Sequence, residues 1–129
     1  MKEVLVISIV NDDQSVLSGL SSLFRSMGWQ VHTFPSAETF LHSELLSTTD
    51  CLVSDVQMPG MSGLELQRCL RDRGHDVPTI FISAFESEAS RTEAIKQRAL
   101  CVLNKPVNTS AILRCINELF GEGPDIASL

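Results

Sequence analysis

The stretch Cys51-Leu52-Val53-Ser54-Asp55, followed at once by Met58-Pro59-Gly60-Met61-Ser62-Gly63, decides how this chain folds. An apolar run of five residues ending in a carboxylate and then a tight turn reads as a buried strand. In an open α/β sheet, groups at the carboxyl ends of the strands line the ligand crevice. Asp55 is therefore expected to be exposed in such a crevice. Two other strand-like runs end in polar groups. Residues 4–10, Val-Leu-Val-Ile-Ser-Ile-Val, lead into Asn11-Asp12-Asp13, and residues 100–103 lead into Asn104-Lys105-Pro106. An acid cluster, a lone carboxylate and a lysine arriving from three strand ends suggest a metal-assisted phosphoryl site.

The rest of the chain alternates strand and helix. After the first strand, Val16, Leu17, Leu20, Leu23, Phe24 and Met27 have helical spacing, and Gly28 is placed as a stop. Residues 30–34 read as a second strand. Pro35-Ser36 opens a helix carrying Ala37, Phe40, Leu41 and Leu45. The third strand spans residues 51–56. Ser62 with Glu65 forms a capping box, opening a helix through Leu64, Leu66, Cys69 and Leu70 that Gly74 ends. Residues 78–83 form the fourth strand. From Ser87 to Arg98 only Ala89, Ala94 and Ile95 could form a buried stripe, so a weakly packed helix is expected there. After the fifth strand, Asn108 or Thr109 caps a last helix through Ile112, Cys115, Ile116, Leu119 and Phe120. Five β/α units with right-handed crossovers predict an α/β fold, a doubly wound five-stranded parallel sheet with helices on both faces.

The 129 residues suit one domain, residues 1–120, with 121–129 as a tail or the start of a linker. A net charge of −6 argues against a nucleic-acid surface in this domain. No apolar stretch approaches bilayer-spanning length, so no membrane partner is expected. Met1-Lys2-Glu3 runs straight into a strand, which reads as no signal peptide. Cys51, Cys69, Cys101 and Cys115 fit no zinc spacing and sit in apolar runs, where a thiol behaves as a small hydrophobe. Disulfide and metal roles are not expected of them, and reduced cysteines agree with a cytoplasmic protein.

A phosphoryl-accepting carboxylate must stay ionised and needs a divalent cation to neutralise phosphoryl oxygens. Mg²⁺ prefers hard oxygen ligands and keeps several waters, so one or two carboxylates suffice. Lysine supplies a compact positive charge for phosphate. Asp55, Asp12 and Lys105 fill these roles. Each also has a structural reading: Asp13 could cap the helix beginning near Ser15, Asp55 could terminate a strand, and Lys105 could be a surface lysine before a turn.

These pieces together resemble the receiver domain of bacterial two-component response regulators. The matching motifs are Asn11-Asp12-Asp13, Asp55-x-x-Met58-Pro59-Gly60-Met61-Ser62-Gly63, Ser83-Ala84 and Lys105-Pro106. Residues 58–67 and Val77-Pro78 look most like the nitrogen-fixation type, which usually carries a LuxR-family helix-turn-helix DNA-binding domain after the receiver. The resemblance implies a (βα)5 flavodoxin-like fold. It implies that Asp55 accepts phosphate from a sensor histidine kinase. Asp12, Asp55 and the backbone carbonyl of Gln57 would hold Mg²⁺, with Asn11 acting through water and Asp13 as a further candidate. Ser83 would hydrogen-bond the phosphoryl group, Lys105 would pair with it, and Pro106 would follow a cis peptide. Phosphorylation would then change a face built from the Ser87 to Arg98 helix, the fifth strand and the last helix, which would bind a partner or pair two receivers. DNA would be reached only through a C-terminal domain absent from this sequence.

Three departures from the family pattern stand out. Asn11 replaces one of two consecutive acids, which predicts weaker Mg²⁺ binding unless Asp13 compensates. Val102 stands where an aromatic ring usually rotates with the switch; the Ser83 loop or Phe85 would have to carry that motion. Phe85 could also shield the phosphoryl group from water. Arg98 replaces a common glycine, and nothing here explains it. The competing functions are a pseudo-receiver that serves only as an interaction module and an aspartyl-phosphate hydrolase. The hydrolase is disfavoured because Gln57 stands where a second acid would be needed. A flavin protein is disfavoured because no Gly/Ser/Thr-rich loop follows the first strand.

Overall fold

The first, third and fourth strands are short runs rich in buried apolar residues, whereas the second mixes buried and exposed positions. The computed structural model describes residues 4–83, 92, 101–104 and 108–120. The order is β1 (Val6–Val10), α1 (Gln14–Ser26), β2 (Gln30–Phe34), α2 (Ala37–Leu41), a 3-10 turn (Glu44–Thr48), β3 (Cys51–Asp55), α3 (Gly63–Asp72), β4 (Thr79–Ser83), β5 (Cys101–Asn104) and α4 (Thr109–Phe120). The strands form one parallel sheet in the order β2-β1-β3-β4-β5. The expected five-stranded doubly wound sheet is therefore the fold. The helix expected from Ser87 to Arg98 and the tail 121–129 lie outside the described residues.

Helices cover both faces. On one side α1 and α4 place Leu17, Leu20, Phe24, Ile112 and Ile116 against Ile7, Ile9, Val53, Ile80 and Ile82. On the other, α2 and α3 bring Phe40, Leu41, Leu66 and Leu70 onto Val10 and Leu52. Two buried faces explain why β1, β3 and β4 read as continuous apolar runs rather than alternating ones.

Several boundaries differ from the sequence expectation. β1 begins at Val6 rather than Val4, whose side chain is 44% exposed and gains nothing from a strand position. The second helix stops at Leu41. Leu45 belongs instead to the 3-10 turn, which Ser43 caps by accepting a hydrogen bond from the Leu45 N–H at 3.0 Å. Gly28 does follow α1, with φ of 86°, a conformation that costs glycine little. Asn108 does open α4, accepting from the Ala111 N–H at 3.0 Å.

The cysteine expectation needs a larger correction. Cys101 on β5 and Cys115 on α4 form a disulfide, with Cα atoms 6.5 Å apart. Both are half-buried against the α1/α4 core. Packing α4 across β5 brings together two residues that are 14 positions apart in sequence. Cys51 and Cys69 are free thiols, and Cys51 is fully buried as expected.

Candidate functional site

Parallel pairing aligns the strand ends on one edge of the sheet. Val10 registers with Ser54, Asp55 with Ile82, and Ser83 with Asn104. β1 lies between β2 and β3, so the chain leaves β1 and β3 toward opposite faces of the winding. That divergence makes the crevice of a doubly wound sheet, and Asp12 and Asp55 flank it.

The acid cluster after β1 is shaped by Asn11. Its side chain is fully buried, and its N–H continues the sheet by donating to the Phe34 carbonyl at 3.1 Å. Its side-chain Oδ1 accepts from the Asp13 N–H at 2.9 Å. That contact fixes the amide orientation, since the opposite one would set two donors face to face. Nδ2 is then buried with no hydrogen-bond partner among the described residues. The group that Asn11 leaves over is thus a donor, whereas the role expected of it, receiving a metal-bound water, calls on its oxygen.

Asp13 takes the capping role. Its Oδ1 accepts from the Ser15 N–H at 2.9 Å and from the Ser15 hydroxyl at 2.6 Å, closing the amino end of α1. Such caps contribute about 1 kcal/mol. Asp12, between these two anchored neighbours, is exposed.

Asp55 is 2% exposed, buried rather than open as expected. The cause is the tight return of the chain behind it. The Gly63 N–H donates to the Val56 carbonyl at 2.9 Å, so α3 begins directly against the end of β3. A Cβ at Gly63 would lie 2.2 Å from the Asp55 carbonyl oxygen and 3.0 Å from the Ser54 hydroxyl. Only glycine allows this approach. The Asp55 carboxylate is held by the Gln57 N–H, which donates to Oδ1 at 3.1 Å. Gln57 itself is exposed.

The loop between β3 and α3 is tied twice more. The capping box is complete: the Ser62 N–H donates to Glu65 Oε1 at 3.1 Å, and the Glu65 N–H donates to the Ser62 hydroxyl at 3.1 Å. Hydrogen bonding of the Glu65 carboxyl by Ser62, through its backbone N–H first and then its hydroxyl, holds that carboxyl below its ordinary pKa. From α2, Glu38 Oε2 accepts from the Met61 N–H at 3.3 Å. The carboxylate fills the space beside Gly60, whose φ of 78° suits glycine. Sequence reading missed Glu38 and Gly63. A glycine directly after the Ser62 cap was a signal for the second, and nothing local marks the first.

Lys105, the Ser83 hydroxyl, Phe85 and Arg98 fall outside what the structure describes of these residues. The Ser83 backbone closes β4 beside β5. Val102 registers with Phe81 and packs with Val56, Phe81 and Leu64 in a small cluster of its own. Among the described residues no group of three or more His, Cys, Asp or Glu side chains could hold a metal. A cation at the crevice would rest on the Asp12 and Asp55 carboxylates with backbone and water oxygens, a hard donor set that suits Mg²⁺. No described helix is long and apolar enough to cross a membrane.

Comparison with known proteins bears on the family and the fold. The family described as the response regulator receiver domain matches residues 7–117. The response regulator protein TodT of Pseudomonas putida is 43% identical over 111 residues, covering 86% of this chain and 49% of that protein. The transcriptional regulatory protein FixJ of Azorhizobium caulinodans is 33% identical over 125 residues, covering 97% of this chain and 59% of that one. The chain therefore spans about half the length of these curated relatives. Among solved structures, FixJ-N superimposes with a TM-score of 0.79 at 31% identity, covering 91% of this chain and 93% of that one.

Proposed function

The chain belongs to the response regulator receiver domain family, and from that premise we propose that Asp55 is its phosphoacceptor, taking a phosphoryl group from a sensor histidine kinase. The observation that carries this reading is the placement of Asp55. It ends the central strand beside the Asn11-Asp12-Asp13 segment, with its carboxylate fixed by the Gln57 N–H. Asp12, Asp55 and the Gln57 carbonyl would hold Mg²⁺, which when bound neutralises phosphoryl oxygens. The chain's own residues do the rest. The Gln57 N–H orients the attacking carboxylate, and the buried setting of Asp55 limits the access of water to it. Lys105 and the Ser83 hydroxyl are the proposed partners of the transferred group, on the strength of their positions directly after β5 and at the end of β4.

Phosphorylation adds about 1.5 to 2 negative charges and new acceptor oxygens at this edge. The proposed response is an altered face of β5, α4 and residues 87–98 that pairs two receivers. Output through a DNA-binding domain beyond this chain, and a cytoplasmic location, fit relatives named as transcriptional regulators, of which the match covers 48% and 59%.

Acetyl phosphate with Mg²⁺ tests the proposal. The chain should acquire one phosphate, Asp55→Asn should acquire none, and self-association should rise on phosphorylation. Absence of uptake by the native chain would favour the pseudo-receiver, which the Asn11 and Val102 departures suggest. Sustained turnover of a phosphomonoester would favour the hydrolase.

A further inference from the structure

We propose that Cys101 and Cys115 form a reversible thiol–disulfide site, whose co-reactant is a low-molecular-weight disulfide/dithiol couple and whose oxidised state ties β5 to α4. The pair bridges two different elements, the edge strand and the C-terminal helix. Both cysteines are half-buried at the margin of the α1/α4 core rather than sealed inside it, as Cys51 is. The ring that the bond closes contains Lys105, because the bridge runs from position 101 to position 115. The other two cysteines are poor competitors. Burial, with a smaller effect from the Asp50 carboxylate, pushes the Cys51 thiol up to about 12, so it is not a thiolate at neutral pH. Cys69 sits on α3, across the sheet from the pair.

The exchange balances without further reagents. One cysteine thiolate attacks oxidised glutathione; that S–S bond breaks and a glutathione thiolate leaves. The second cysteine thiolate then attacks the mixed disulfide and releases a second glutathione. Two protein thiols are oxidised, one glutathione disulfide is reduced, and the two protons end on the departing thiols. In a reducing compartment such a bond forms when the redox poise changes, which is the usual use of cytosolic disulfides.

The consequence for signalling rests on the phosphoacceptor reading above. β5 and α4 belong to the face proposed to change on phosphorylation, and a covalent tie between them limits their relative movement. Equilibration in glutathione buffers of graded ratio, followed by acid quench and peptide mass mapping, should show a Cys101–Cys115 cross-link that dithiothreitol removes. Phosphorylated chain should self-associate at least about fivefold more weakly when oxidised, the lower end of ordinary coupling between sites. Cys101→Ser and Cys115→Ser should each abolish that redox dependence while still taking phosphate. Absence of the cross-linked peptide at every ratio, equal association in both redox states, or redox dependence surviving in either variant would overturn the proposal. Phosphate uptake by the reduced chain is scored separately, so failure of the acceptor reading remains distinguishable.

Discussion

Two glycine-to-alanine substitutions should move stability in opposite directions. At Gly63 the new Cβ would meet the Asp55 carbonyl oxygen at 2.2 Å, the Ser54 hydroxyl at 3.0 Å and the Asp55 carbonyl carbon at 3.1 Å. Ordinary contact lies near 3.5 Å, so the start of α3 must retreat by roughly 1 Å against backbone that cannot swing aside. Overpacking of this kind costs about 1–3 kcal/mol. The better helix propensity of alanine offsets at most about 1 kcal/mol. The net expectation is destabilisation by about 1–2 kcal/mol. At Gly19, exposed in the middle of α1, nothing lies within 4 Å of the added Cβ. There the propensity gain stands alone, up to about 1 kcal/mol of stabilisation. Urea unfolding followed by the fluorescence of Trp29 reads both. That residue is the single tryptophan, buried with its ring centroid 5.8 Å from that of Phe24. The midpoint should fall for Gly63→Ala and rise for Gly19→Ala, with the slope unchanged. Equal midpoints for the two variants would refute the claim that the turn behind Asp55 is closed by steric necessity.

Asn11→Asp should raise Mg²⁺ affinity, by up to about tenfold for some 1.4 kcal/mol of added attraction, while lowering the stability of the metal-free chain, because a buried charge is left uncompensated; calorimetric titration and urea unfolding check the two halves, and no gain in affinity would remove the claim. The Glu65 carboxyl is depressed by its bonds to Ser62, so its contribution is present above the unfolded value of about 4.3 and is lost as pH falls through the lower folded value. NMR titration of Glu65 should therefore give a midpoint below that of Glu65 in Ser62→Ala, and coincident midpoints would contradict the capping-box account.

Much of this fold can be read from short-range chemistry. The β-branched run before Asn11, the Ser62/Glu65 pair and Gly28 each specify their element within a few residues, and the structure has those elements, with β1 starting two residues later than the run does. Asp13 was legible as a cap for the same reason, its partner Ser15 being two residues away. The features that escaped depend on distant chain. Glu38 reaches the loop at Met61 from 23 residues earlier, and Cys101 meets Cys115 only because a helix packs over a strand. The low exposure of Asp55 escaped because it depends on how closely α3 begins behind β3, a distance that no local pattern encodes.

The ties on the stretch from Val56 to Gly63 bear on the thermodynamics of loading the crevice. Fixing the backbone of one residue removes about 1–2 kcal/mol of conformational entropy. Here folding has already removed it, through Glu38, the Ser62/Glu65 box and the Val56–Gly63 hydrogen bond. A divalent ion or an incoming anion therefore meets a preorganised rim. Its affinity reflects charge and coordination, with little subtracted for bringing a floppy segment to rest.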